Sequence, residues 1–140
     1  MKKNIIFICI HNSARSQMAE AYMKKFHGDK FNVYSAGLEE GKLNELIVEV
    51  MKLDGLDISN QKSEMVDLYL KKDIVFDYVI TVCDESNAEK CPYFPGEGKR
   101  LHISFKDPSS LSGKQEDKIY EAVKIRNEIK VFIKNILKFL

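Results

Sequence analysis

The spacing of apolar positions changes several times along the chain, and each change marks an element. "NIIFICI" (Asn4 to Ile10) is a continuous β-branched, apolar run, the pattern of a strand covered on both faces. From Ser16 to about Phe26 the period becomes helical, with Met18, Ala21, Tyr22 and Phe26 on one side. "NVYSAG" (Asn32 to Gly37) predicts a second strand ended by glycine. Leu43 to Leu53 predicts a second helix, with Leu46, Val50 and Leu53 on its apolar face and a stop near Gly55. Ser63 is placed to cap a short third helix through Leu70. "FDYVITVC" (Phe76 to Cys83) reads as a third strand and Arg100 to Phe105 as a fourth. Between them lies an irregular segment carrying Pro92, Pro95, Gly96 and Gly98. A long amphipathic helix starts near Gln115, with Ile119, Ala122, Val123, Ile129, Ile133, Ile136 and Leu140 as its inward stripe.

This alternation predicts an α/β fold: one domain over residues 1–140, a central four-stranded parallel sheet and helices on both faces. Such sheets bind ligands beyond the carboxyl ends of their strands. Cys9, Cys83 and the loop after Phe105 all fall at that edge.

Composition narrows the field. The 140 residues are 44% hydrophobic and 31% charged, and the formal net charge of +1 gives no footprint for nucleic acid or an anionic membrane. "MKK" before the first apolar run imitates a signal peptide, but the run is short and His11 and Asn12 follow it. No run approaches the ~18 apolar residues of a membrane span. The expected setting is cytoplasmic and the expected state a monomer. In a reducing compartment Cys9, Cys83 and Cys91 are structural thiols, metal ligands or working redox groups, not a static framework.

The stretch "CIHNSARS" (Cys9 to Ser16) carries the chemistry. A strand that feeds a helix through this loop aims several backbone N–H groups at one point, and the helix N-terminus adds positive potential. Ile10, His11, Asn12, Ser13, Ala14, Arg15 and Ser16 then form an anion cradle. Arg15 can close it by bidentate contact with a tetrahedral oxyanion. A thiol at its base is favoured as thiolate. Ser16 can donate to that sulfur, and Asn12 suits a left-handed turn. Cys9 is the expected nucleophile; the alternative is a buried free cysteine with an unrelated arginine.

An oxygen displaced from the anion leaves readily only if protonated. "FKDPSS" offers Asp107, held by Pro108 after the fourth strand, with Asp84 as the competing acid.

With Asp107-Pro108 after the fourth strand, CIHNSARS resembles the C-x5-R-S loop and general-acid loop of the low-molecular-weight tyrosine phosphatase fold. Within it, "NSARSQMAEA", "VYSAG", "DISNQ", "VITVCDE", "CPYFPG" and the FKDP segment resemble the thioredoxin-coupled arsenate reductases over essentially the whole length. The resemblance implies reduction of arsenate to arsenite, with no tightly bound cofactor and electrons returned by thioredoxin or a glutaredoxin-like dithiol donor. A phosphatase needs one cysteine, because water resolves its intermediate; a reductase needs thiols to oxidise. Cys83 and Cys91, with seven residues between them, supply these in the expected relay. The spacing is one residue longer than in the thioredoxin-coupled reductases, His11 stands where glycine is expected, and Ala14 where some relatives carry cysteine.

Some members of the family hold a monovalent cation beside the anion loop. Asn12, Glu20, Ser35 and Glu64 could correspond, with the acidic residue shifted in type, and no metal site is assigned to them. A zinc site from Cys83, Cys91 and His102 would lack a fourth ligand and the usual short spacing. The alternatives are a tyrosine phosphatase, although Ser109 and Ser110 stand where its aromatic walls would be, and a non-catalytic oxyanion or redox sensor.

Overall fold

The computed structural model describes residues 1–83 and 96–140; Asp84, Cys91, Pro92 and Pro95 lie outside these. In chain order the elements are β1 (Lys3–Cys9), α1 (Arg15–His27), β2 (Phe31–Gly37), α2 (Glu45–Leu53), α3 (Val66–Lys71), β3 (Tyr78–Thr81), β4 (Lys99–His102) and α4 (Gln115–Lys134). Short 3-10 turns cover Pro108–Ser110 and Ile136–Lys138. The strands form one parallel sheet in the order β2-β1-β3-β4, with Cys9 opposite Gly37, Ile8 opposite Thr81 and Thr81 opposite His102. All four carboxyl ends therefore meet at one edge.

The alternation of β1 divides the core. Ile5, Phe7 and Cys9 face a large cluster with Met18, Tyr22 and Met23 of α1, Ile47, Val50 and Met51 of α2, and Ile125, Ile129 and Ile133 of α4. Ile6 and Ile8 face a smaller one with Val66 and Tyr69 of α3, Phe76 and Val79. Tyr34, Tyr69 and Phe76 meet there edge to face, with ring centroids 5.3–6.0 Å apart. Burial pushes the Tyr69 hydroxyl up to about 12, helped by the nearby charges of Glu64 and Glu20. Among the described residues no helix is long and apolar enough to cross a membrane.

Three expectations shift. The second helix starts at Glu45 because Asn44 caps it, its Oδ1 accepting from Leu46 N at 2.9 Å and Ile47 N at 3.4 Å. That start turns Ile47, Val50 and Met51 inward and leaves Leu53 exposed. The third helix begins at Val66 after Met65, without Ser63, whose hydroxyl donates instead to His11 O at 2.9 Å. The third strand is confined to Tyr78–Thr81, and the fourth runs from Lys99 to His102, beginning one residue early and ending short of Phe105.

Candidate active site

The loop between β1 and α1 is fixed by its carbonyls. Ile10 O accepts from Glu39 N at 2.8 Å, His11 O from Ser63 Oγ, Asn12 O from Gln17 Nε2 at 2.9 Å and Ser13 O from Asn44 N at 2.9 Å. Because C=O and N–H of a planar peptide point opposite ways, the N–H groups of His11 to Ala14 turn toward the loop centre. Asn12 makes the turn with φ of 52°, a left-handed value that its residue type tolerates. No side chain caps α1 at Ala14, and no acid lies in its first turn. The helix end is thus electropositive.

Cys9 lies at the base of this loop, 2% exposed and free of any disulfide. Its Sγ accepts from Asn12 N at 3.1 Å and lies 2.9 Å from Ser16 Oγ. Ser16 Oγ accepts from Asn12 Nδ2 at 2.7 Å, which leaves its own hydrogen for the sulfur. Two donors therefore converge on the Cys9 sulfur.

Arg15 is buried at the first turn of α1. Its Nη1 donates to Phe105 O at 3.2 Å, and Nη2 lies 3.7 Å from Asp107 Oδ2. The guanidinium thus bridges the anion loop to the loop after β4. Asp107 divides its carboxylate: Oδ1 caps the Pro108–Ser110 turn by accepting from Ser109 N at 2.9 Å and Ser109 Oγ at 2.8 Å, and Oδ2 faces Arg15. Asp107 is therefore brought to Arg15, which follows the loop that holds Cys9. His11 points away from the sulfur: its Nδ1 lies 3.8 Å from Glu39 Oε2 and 3.4 Å from Glu40 O, with its side chain 47% exposed.

Cys83 is fully buried at the same edge, in the same apolar cluster as Cys9, with its Sγ 3.8 Å from Ile8 O. It is disulfide-bonded. The expectations for Cys91 and Asp84 fall outside the described residues. His102 binds Thr81 Oγ1 through Nδ1 at 2.7 Å.

Among the residues compared with a cation site, Glu20, Ser35 and Asn12 are hydrogen-bonded within the protein. Glu20 is already matched by Lys24 Nζ at 2.7 Å and by Ser35 Oγ at 2.5 Å. Asn12 Oδ1 accepts from Glu64 N at 2.8 Å and Gln17 Nε2 at 2.9 Å.

Sequence reasoning missed Gln17, Gln61 and Gly37. Gln17 is fully buried, yet it stands in a polar stretch that reads as helix surface. Gly37 looked like a strand end; its role is to leave room, since a Cβ there would lie 2.7 Å from Asn12 N.

A parallel four-stranded sheet with a cysteine-to-arginine anion loop on β1 defines a phosphatase-like class. The chain belongs to the low molecular weight phosphotyrosine protein phosphatase family, whose sequence model matches residues 4–138. Its relatives are more particular: it is 45% identical to an arsenate reductase of Bacillus licheniformis over 130 residues, covering 91% of this chain and 90% of that protein. An arsenate reductase structure from Archaeoglobus fulgidus superposes with a TM-score of 0.78 at 27% identity, covering 96% of this chain and 98% of that one. A thioredoxin-dependent arsenate reductase of Corynebacterium glutamicum superposes with a TM-score of 0.59 at 27% identity, over 99% of this chain and 64% of that one.

Proposed function

We propose that this protein reduces arsenate to arsenite through Cys9, Cys83 and Cys91, with electrons returned by thioredoxin or a similar dithiol protein. The observation that carries the reading is a second sulfur, Cys83, buried in the same cluster as a loop-cradled Cys9. The arsenate reductases at 41–45% identity support the same choice.

In the first step the Cys9 thiolate attacks arsenic(V) held by the loop N–H groups and Arg15. An As–S bond forms, an As–O bond breaks, and Asp107 protonates the departing oxygen. Cys83 then attacks the Cys9 sulfur. The As–S electron pair stays on arsenic, which leaves as arsenite, and a Cys9–Cys83 disulfide remains. Cys91 attacks Cys83, frees Cys9 as thiolate and moves the disulfide to Cys83–Cys91, which the external dithiol reduces. Two thiols lose the two electrons that arsenic gains.

Phosphotyrosine hydrolysis fits the mouth of the site less well. The cavity of about 360 Å³ beside the loop is lined, among the described residues, by Ser13, Lys42, Leu43, Asn44, Glu45 and Ser109, none of which offers a ring to stack on a substrate ring. The test is purified protein with arsenate, thioredoxin, thioredoxin reductase and NADPH. Sustained arsenate-dependent NADPH oxidation is expected; hydrolysis of an aryl phosphate without arsenate turnover would overturn the reading.

A further inference from the structure

The hydrogen bonds at Cys9 extend well beyond the loop. Gln17 Nε2 lies 2.9 Å from each of three acceptors: Asn12 O, Asn12 Oδ1 and Lys62 O. Gln61 Nε2 in turn donates to Gln17 Oε1 at 2.6 Å and to Gln17 O at 3.2 Å. Gln17, Asn12 and Ser16 are all fully buried, so water cannot replace a lost partner.

Donor and acceptor roles in this chain have one sense. Lys62 O and Asn12 O are carbonyls, so the Gln17 group facing them is its NH2. Gln17 Oε1 must then accept, and Gln61 supplies the donor. Asn12 Oδ1 faces both Gln17 Nε2 and the backbone N–H of Glu64, so its Nδ2 is the group left to donate to Ser16. Ser16, having accepted, directs its hydrogen to Cys9. The order runs Gln61, Gln17, Asn12, Ser16, Cys9, and every link is forced by the one before it or by a backbone group.

We propose that Gln17, oriented by Gln61, is a positioning residue for the Cys9 thiolate: it holds Asn12 in its left-handed turn and fixes the direction of the hydrogen bonds that end on the sulfur. This rests on Cys9 being the nucleophile. It assigns to two uncharged side chains, one on α1 and one on the segment before α3, control over a sulfur that neither touches. Chains of this kind reinforce one another, and breaking one link weakens those beyond it.

The test reads thiolate, not turnover. Alkylation of Cys9 by iodoacetamide, mapped by peptide mass, is followed from pH 6 to pH 10. Gln17→Met keeps the length but removes the donor and acceptor. At pH 6 its alkylation should be about three- to ten-fold slower than in the unaltered protein, the net scale of one ordinary hydrogen bond lost from the chain. At pH 10, where any thiol is ionised, the rates should converge; a change in access alone would keep them apart. Gln61→Leu, at a half-buried position, should show the same pattern with a smaller effect, and it decides the matter if Gln17→Met does not fold. Equal rates at pH 6 in the folded variant, or a difference that persists at pH 10, would overturn the proposal. A separate comparison tests the underlying reading: if Cys9 of the unaltered folded protein reacts no faster at pH 6 than in urea, Cys9 is not an activated nucleophile.

Discussion

Gly37→Ala should damage the site more than the fold. Gly37 ends β2 opposite Cys9, and a methyl there would lie 2.7 Å from Asn12 N and His11 C and 2.9 Å from Ile10 O. All three are backbone atoms of the anion loop, so no flexible side chain can give way. Reaching an ordinary contact of 3.4 Å requires a displacement of roughly 0.7 Å. The loop's carbonyls are tied outward to Glu39, Ser63, Gln17 and Asn44, so movement pulls its N–H groups off the oxyanion position. A misplacement near 1 Å costs about 10²-fold in rate, which sets the expected loss in kcat/KM for arsenate at ~10–100-fold. Overpacking of this size costs about 1–3 kcal/mol of stability, so the protein still folds. Gly55→Ala is the matched control. At φ of 82°, with nothing within 4 Å of the added carbon, it should cost about 1 kcal/mol and leave turnover unchanged. The assay is thioredoxin-coupled NADPH oxidation alongside thermal melting. Gly37→Ala turnover within two-fold of the unaltered protein would refute the claim that the loop is held by close contact with β2.

Cys9→Ser should abolish arsenate reduction and any side phosphatase activity; turnover above a few per cent, measured as arsenite released, would remove Cys9 from the mechanism. Asp107→Asn should lower turnover by ~10²–10⁴-fold with a smaller effect on oxyanion binding, and a larger loss in Asp84→Asn would move the acid role to Asp84. Tyr69 has its folded-state value raised, so its stabilising contribution is complete below pH ~10 and is lost as pH rises toward about 12. Tyr69→Phe should therefore flatten the loss of stability in that window, read by denaturant titration from pH 9 to pH 12; an unchanged slope would contradict it.

The parts of the site that are contiguous in sequence were legible there. Cys9 to Ser16 form one loop, so the strand, the turn at Asn12 and the helix start could be read from seven intervals of spacing, and the parallel sheet placed Asp107 and Cys83 at the same edge. What escaped was held by contacts over long sequence distances. Gln17 and Gln61 pair across a gap of 44 residues, and nothing in a polar glutamine signals full burial. Arg126 interrupts the apolar stripe of α4 yet is buried, because its Nη1 donates to Val50 O at 2.7 Å on α2. Ser63 looked like a cap and binds the anion loop instead, since cap propensity cannot register a carbonyl 52 residues away.

The proposed mechanism requires three thiols to act in turn, and single-turnover arsenite release tests this most directly. Reduced Cys91→Ser, mixed with arsenate without an external donor, should release about one arsenite per enzyme and stall with a Cys9–Cys83 disulfide identified by peptide mapping. Cys83→Ser under the same conditions should release little, because among the described residues no other thiol is placed to attack Cys9. Multiple turnovers by Cys91→Ser with thioredoxin, or unchanged turnover in both variants, would contradict the relay.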